Sequence, residues 1–150
     1  MLRIHALLVS LALSFCALFG TQAALAAKAD KPFAERYYVL QISDDDAAKQ
    51  TLVLNVASNI LKHYGPDKVD VEIVAFGPGL RLLFADNTNA ARIASLADEG
   101  VRFSACENTL ANMTKLLGKE PKLDAPAVRV AAGVVRIGDL VSEGYTLVRP

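Results

Sequence analysis

The feature that most constrains this chain is a regular alternation of strand-like and helix-like segments after residue 36. Runs rich in β-branched and aromatic residues alternate with segments whose apolar residues recur every three or four positions, as on one face of a helix. The strand-like runs are 37–42, 69–76, 101–105, 128–130 and 145–148. Because parallel strands need long crossover connections, this alternation predicts an α/β fold with a mostly parallel sheet and helices on both faces.

Helix boundaries can also be predicted from the sequence. Ser43 followed by three aspartates favours a helix start, and Gly65-Pro66 favours its end. A later helix from residue 107 to about 117 is expected to place four apolar residues inward. These are Leu110, Met113, Leu116 and Leu117. The apolar run 80–84 after a Gly-Pro-Gly loop is interpreted as either core or a subunit contact.

The first 26 residues have the pattern of a secretory signal peptide. A short basic start with Arg3 precedes an apolar run, and Ala24-Leu25-Ala26 fits a small-x-small cleavage site. We therefore divide the chain into a signal peptide (1–26), a flexible lead (27–36) and one domain (37–150). The mature protein is expected to be periplasmic or secreted, with no membrane attachment after cleavage.

The charge of the chain argues against nucleic acid as a partner. Its 16 basic and 16 acidic residues give a formal net charge of zero, and loss of Arg3 leaves about −1. Nucleic-acid binding needs a clustered basic surface that neutralises phosphates. The same balance argues against electrostatic docking on an anionic membrane.

Cys106 is the best candidate for chemistry. Cys16 lies in the predicted signal peptide, so Cys106 would be the one cysteine of the mature chain. A single cysteine cannot form a disulfide within its own chain, which leaves a buried inert thiol, an intermolecular link or a reactive thiol.

Cys106 falls where the third strand is predicted to end and the following helix to begin. Ligand sites of open α/β sheets gather at the carboxyl ends of strands, and a helix N-terminus favours a thiolate. Asn108 and Thr109 are candidate supporting residues because they could donate hydrogen bonds, whereas the carboxylate of Glu107 opposes a second negative charge. A small residue that merely packs at a strand end remains the alternative.

Other candidate residues favour structural roles. His63 is expected to interact with the C-terminal end of its helix, and Gly77-Pro78-Gly79 lacks the pattern of a phosphate-binding loop. The aspartates at 44–46 are explained by the helix start they precede. One histidine and one cysteine make a poor metal site, so neither a metal nor a cofactor is predicted.

Three segments resemble proteins of the DsrE/DsrF-like family. They are VEIVAFGPGL at 71–80, GVRFSACENTL at 100–110, and GVVRI at 133–137 with Leu140, Gly144-Tyr145 and Arg149-Pro150. The three segments occur in order and span nearly all of the expected mature chain.

This resemblance implies a flavodoxin-like three-layer sandwich of about five strands, which commonly assembles as a homo-oligomer. It also implies a sulfurtransferase-like carrier that holds sulfane sulfur as a persulfide on Cys106 and passes it to a thiol-containing protein partner. A non-catalytic small-ligand-binding or assembly module, with a packed and inert cysteine, is the alternative hypothesis.

Overall fold

In the described part of the chain, five parallel strands and four α-helices alternate. The computed structural model describes residues 31–150, so the predicted signal peptide and the start of the lead lie outside the described residues. The strands are β1 (Arg36–Ile42), β2 (Val69–Ala75), β3 (Arg102–Cys106), β4 (Ala127–Val130) and β5 (Thr146–Val148). The helices are α1 (Ala47–Tyr64), α2 (Ala90–Asp98), α3 (Glu107–Leu117) and α4 (Gly133–Ser142), with a 3₁₀ helix at Gly77–Leu83.

The strand order of the sheet is β4-β3-β2-β1-β5, and every pairing is parallel. Crossovers between parallel strands are almost always right-handed. The three successive steps from β1 to β4 therefore place α1, α2 and α3 on one face. The return from β4 to β5 runs the other way and places α4 on the opposite face. The predicted three-layer α/β sandwich, consistent with a flavodoxin-like fold, is confirmed.

The two faces of the sheet bury cores of different size. On the face of α1 to α3, apolar residues of all three helices pack with β1, β2 and β3; Leu54, Ile93, Phe103 and Leu110 are among the largest. On the α4 face the buried apolar set is small: Val39, Val74, Ile137, Leu140 and Tyr145.

A buried carboxylate also lies on the α4 face. Glu72, in the middle of β2, is 1% exposed. It accepts hydrogen bonds from Arg136 Nε and Nη2 at 2.8 and 2.7 Å and from Ser104 Oγ at 2.6 Å, and Arg102 Nη2 lies 3.0 Å away. Burial alone would raise the pKa of Glu72, but these four interactions hold it below its usual value.

A second carboxylate extends this cluster along β2. Asp70 accepts a hydrogen bond from the hydroxyl of Tyr145, and Arg102 Nη2 lies 3.2 Å from the same carboxylate oxygen. Burial and the bond to Asp70 raise the pKa of Tyr145 to about 12. The two carboxylates are thus balanced by two guanidinium groups within the sheet–α4 layer.

The predicted start of α1 needs correction. Asp46 rather than Ser43 caps α1, because its carboxylate accepts a hydrogen bond from the Lys49 N–H at 2.9 Å. The carbonyl of Ser43 instead accepts the N–H of Gly79 at 3.0 Å.

The apolar run at 80–84 belongs to the core, because Leu80, Leu82 and Leu83 are fully buried within the 3₁₀ helix. The subunit-contact interpretation of this run is therefore wrong.

The inward face predicted for α3 holds only over its first two turns. Leu110 is buried and Met113 is partly buried, but Leu116 is 84% exposed and Leu117 is 50% exposed. At about 100° per residue, Leu116 lies roughly 120° away from Leu110 around the helix. Leu117 returns to the correct side, but it lies in the last turn, beyond the apolar core.

Within the part of the chain that the structure describes, no helix has both the length and the apolar character needed to cross a membrane.

Candidate functional site

The topology places Cys106 where a ligand site is expected. Cys106 ends β3 and pairs with Val130 at the end of β4, so the carboxyl ends of these strands are adjacent. From this point α3 leaves to one face of the sheet and α4 leaves to the other. Where two adjacent parallel strands are followed by helices on opposite faces, a crevice forms between the two helix N-termini. Open α/β proteins bind ligands in such a crevice. The sequence predicted the strand end, but not that the helix after β4 begins beside it.

Four donor groups from these two helices favour the thiolate form of Cys106. Its thiolate is stabilised by the hydroxyl of Thr109 and by the backbone N–H groups of Gly133, Thr109 and Asn108. Cys106 is the N-cap residue of α3, but it makes no close side-chain cap hydrogen bond. These groups therefore lower the pKa of Cys106 as nearby donors rather than as close cap hydrogen bonds, because an ionised acceptor interacts with donors more strongly than a neutral one.

The hydroxyl of Thr109 connects the cysteine to the Gly-Pro-Gly loop. Thr109 Oγ1 accepts a hydrogen bond from the Gly77 N–H at 3.0 Å. A hydroxyl has one proton, so accepting from Gly77 leaves that proton available for Cys106. Gly77 has a φ of +54°, and a Cβ added to Gly79 would lie 2.5 Å from the carbonyl oxygen of Ile42. The loop is thus a turn that requires glycine, as predicted, and it also orients Thr109.

The balance of burial and hydrogen bonding favours the thiolate. Cys106 is only 5% exposed, and burial raises the pKa of a thiol. The hydrogen bonds from Thr109, Gly133 and Asn108 outweigh burial, so the pKa of Cys106 lies below its usual value. The predicted opposition from the neighbouring Glu107 does not reverse this result. The surroundings of Cys106 therefore favour its thiolate form, which is the form of a thiol that acts as a nucleophile.

Gly133 is a site residue that sequence reasoning did not identify. It begins α4, and a Cβ added to it would lie 3.0 Å from the Phe76 Cβ and 3.3 Å from the Cys106 Cβ. These distances are shorter than ordinary van der Waals contacts, so only glycine lets the helix approach so closely. The GVVRI segment contributes to the family resemblance, but no periodicity in the sequence reveals the contact between Gly133 and Cys106.

The two predicted supporting residues have different contacts. Thr109 interacts with Cys106 through both its side chain and its backbone, whereas Asn108 does so through its backbone N–H. That N–H also makes a long 3.4 Å contact with the Ala131 carbonyl oxygen. Thr109 is therefore the supporting residue whose side-chain identity matters most.

The remaining candidates lie in structural positions. His63 is exposed in the last turn of α1 and packs edge-on against Tyr64. Asp44 forms an ion pair with Lys49, and Asp45 with Arg81. The cap at Asp46 and the Asp44–Lys49 pair agree with a role at the helix start, whereas Asp45 pairs with a residue outside α1. Among residues 31–150, no group of three or more His, Cys, Asp or Glu side chains is placed to hold a metal ion.

Two cavities border the residues that surround Cys106. One, of about 340 Å³, is lined by Gly77, Pro78 and Thr109 together with Arg81, Met113 and Leu116. The other, of about 330 Å³, includes Glu107, Asn108 and Arg129 in its wall. A larger cavity of about 500 Å³, between Arg81 and the 119–122 segment, contains none of the hydrogen-bond donors to Cys106. Small molecules therefore have space on both sides of the α3 N-terminus.

Comparisons with known proteins support the fold and name no activity. No protein-family model matches the chain, and no curated protein matches it. Among solved structures, the chain is similar to a protein of unknown function, MTH1491 from Methanobacterium thermoautotrophicum. The TM-score is 0.69 and the sequence identity is 28%, with 77% of this chain and 100% of the other chain covered. Membership of the DsrE/DsrF-like family stays a prediction.

Proposed function

We propose that this protein is a sulfur carrier that accepts sulfane sulfur on Cys106 and passes it to another thiol. The observation that carries this proposal is the position of Cys106 at the carboxyl end of β3, between the starts of α3 and α4, where nearby donor groups lower the pKa of its thiol. A thiolate is the form that attacks sulfur electrophiles. The resemblance to DsrE/DsrF-like sulfur-relay proteins supports the same role.

The proposed reaction conserves atoms and electrons in two exchange steps. The Cys106 thiolate attacks the outer sulfur of a low-molecular-weight persulfide or polysulfide, and the S–S bond of that donor breaks. The donor leaves as a thiolate or a shortened polysulfide, and Cys106 becomes a persulfide. An acceptor thiolate then attacks the outer sulfur of this persulfide, and Cys106 leaves as a thiolate again.

The surroundings of Cys106 suit a persulfide better than a large adduct. The thiol is nearly buried, so one added sulfur atom demands less space than a large adduct, and the two nearby cavities are lined by its neighbours Thr109 and Asn108. The donors that stabilise the thiolate would also stabilise it as the leaving group in the second step. We therefore propose a thiol-containing protein as the final acceptor and a small sulfane-sulfur compound as the donor.

The remaining sequence-based expectations complete the proposal. We propose that the chain is a DsrE/DsrF-like protein that is exported to the periplasm or secreted, and that it acts as a homo-oligomer. Its exposed apolar residues on β4 and α4 offer a surface for self-association. These are Val128, Val134, Val135 and Val141.

Loading followed by transfer tests this function. Protein treated with polysulfide and freed of excess reagent should carry one extra sulfur atom, as measured by intact mass. Addition of a small thiol should return the protein to its original mass, while the small thiol gains sulfane sulfur. Loaded protein that keeps its sulfur in the presence of excess thiol would refute a relay function.

The alternative is a binding or assembly module in which Cys106 only packs. It is favoured by the 5% exposure of Cys106 and by the close packing of Gly133 against its Cβ. This alternative predicts a thiol that gains no sulfur from polysulfide and that reacts with alkylating reagents only after unfolding. The loading experiment therefore separates the two functions.

A further inference from the structure

The N-terminus of α4 must be held in place for the cysteine site to exist. Gly133 begins α4 so close to Cys106 that a Cβ added to it would lie 3.3 Å from the Cys106 Cβ, and its N–H is one of the groups that favour the thiolate. Ala132, the residue that precedes the helix, provides no side-chain cap hydrogen bond. Nothing in the local sequence of the helix start therefore fixes its direction, so a tertiary contact must do so.

Most contacts between α4 and the sheet are apolar. Ile137 and Leu140 pack against Val39 and Val74, and such contacts are not directional. Arg136 is different, because its Nε and Nη2 donate two parallel hydrogen bonds to the carboxylate of Glu72. A bidentate pair of this kind fixes orientation as well as distance.

Arg136 lies one turn after Gly133, and its own N–H donates to the Ala132 carbonyl oxygen at 3.0 Å. The arginine and the glycine are thus parts of the same hydrogen-bonded turn. A small rotation or translation of this turn would change the Arg136–Glu72 geometry and the Gly133–Cys106 geometry together.

Glu72 is a rigid anchor for this contact. It lies in β2, which is flanked by strands on both sides, and its carboxylate is also held by Ser104 and Arg102 of the adjacent β3. An anchor with so many partners cannot follow a movement of α4.

We propose that Arg136 is a positioning residue, whose bidentate contact with Glu72 holds the first turn of α4 so that the Gly133 N–H reaches Cys106. The inference rests on the proposed function, in which Cys106 acts as a thiolate. Arg136 touches neither the sulfur nor a substrate, and its effect passes through the helix. The ionic cluster of Glu72, Arg136 and Arg102 thereby contributes to the site as well as to the fold.

The simpler explanation is that Arg136 only neutralises the buried charge of Glu72. Arg136→Lys separates the two explanations, because lysine keeps the positive charge but cannot form the planar two-pronged contact. Arg102→Lys is the matched control, because Arg102 also pairs with Glu72 but is on β3 and makes its ion pairs with β2. The readout is the ultraviolet absorbance of the Cys106 thiolate as a function of pH, with circular dichroism to verify folding.

We expect the titration of Arg136→Lys to move to higher pH, with a thiolate fraction at pH 7 reduced by roughly threefold or more. The titration of Arg102→Lys should match that of the wild type. An unchanged titration in Arg136→Lys, or an equal change in both variants, would overturn the positioning role.

A double variant covers the case in which Arg136→Lys does not fold. Glu72→Met with Arg136→Met replaces the pair by apolar side chains and leaves no buried charge unpaired, a change that proteins often tolerate. The proposal expects the same shift to higher pH in this variant, and a wild-type titration would contradict it. Because the titration does not involve sulfur transfer, a protein that fails to carry sulfur can still confirm or refute the role of Arg136.

Discussion

Cys106 is shielded from solvent but surrounded by hydrogen-bond donors. Burial without donors would suppress the thiolate and give an inert residue, whereas the contacts from Thr109, Gly133 and Asn108 reverse that effect. The donors come from two helices that follow different strands. At the scale of single residues, the character of the thiol therefore depends on Gly133, which is distant in the sequence, as well as on the nearby Asn108 and Thr109.

Removal of the Thr109 hydroxyl should weaken the thiolate. We expect Thr109→Val to raise the pKa of Cys106, because the side-chain hydrogen bond to the sulfur is lost. It should also destabilise the fold by about 1–3 kcal/mol, because the Gly77 N–H loses its acceptor. Thiolate absorbance against pH and thermal unfolding measure the two effects. Thr109→Ser keeps the hydroxyl and serves as the control; a valine variant that titrates like the wild type would contradict this role.

The sign of the pH dependence follows from the lowered pKa. The folded protein releases the Cys106 proton at a lower pH than the unfolded chain, whose thiol keeps its ordinary pKa. The resulting stabilisation is complete above that value and is lost as the pH falls through the lowered pKa of the folded state. In Thr109→Val this pH-dependent part of the stability should be smaller.

At the scale of elements, two glycines of α4 should respond in opposite ways to alanine. Gly133→Ala introduces a Cβ 3.0 Å from Phe76, so we expect a loss of about 1–3 kcal/mol and a higher pKa for Cys106. Gly138→Ala meets nothing within 4 Å, so improved helix propensity should stabilise the protein by about 0.5–1 kcal/mol. Chemical denaturation measures both changes. Equal stability changes in the two variants would show that the approach of α4 to Cys106 is not tight.

The alternation of elements was predictable because each strand and each helix carries its own local pattern. The buried strand β2, the glycine turn at 77–79 and the start of α3 at Glu107 follow the sequence closely. The strand order was not predictable, because periodicity does not say which strands are neighbours. That order brings Gly133 to Cys106, so the second half of the site could not be predicted from the sequence.

Burial was predicted wrongly or left undecided for segments whose local pattern does not show which elements pack against them. Leu116 and Leu117 are leucines in a helical segment, but nothing in their sequence shows that the last turn of α3 lies beyond the core. The run at 80–84 allowed two interpretations, because a dense apolar cluster after a loop can belong to the core or to a subunit interface. Whether a residue is buried depends on the elements that pack around it, and the sequence of one segment does not contain that information.

At the scale of the whole molecule, the α4 face of the sheet is less completely covered than the other. Val128 of β4 is 64% exposed and lies beside Ser104 on that face, and three valines of α4 are also exposed. Parallel sheets are normally covered on both faces, so this surface suits contact with another subunit. The proposed homo-oligomer would bury it.

A charge on this surface should reduce self-association. Val141 at the end of α4 is 45% exposed and Leu52 on α1 is 44% exposed, so Val141→Lys and Leu52→Lys form a matched pair. We expect light scattering to show an oligomer for the wild type and for Leu52→Lys, and a smaller species for Val141→Lys. A wild-type protein that is monomeric at all concentrations would contradict the oligomer, and equal behaviour of both variants would exclude this surface.

The most direct test of the sulfur-carrier proposal is the intact mass of the polysulfide-treated protein, measured beside Cys106→Ser. We predict that the wild type gains the mass of one sulfur atom, that reductant removes this gain, and that the serine variant gains nothing. An unchanged wild-type mass, or an equal gain in the variant, would contradict the proposal that Cys106 carries sulfur.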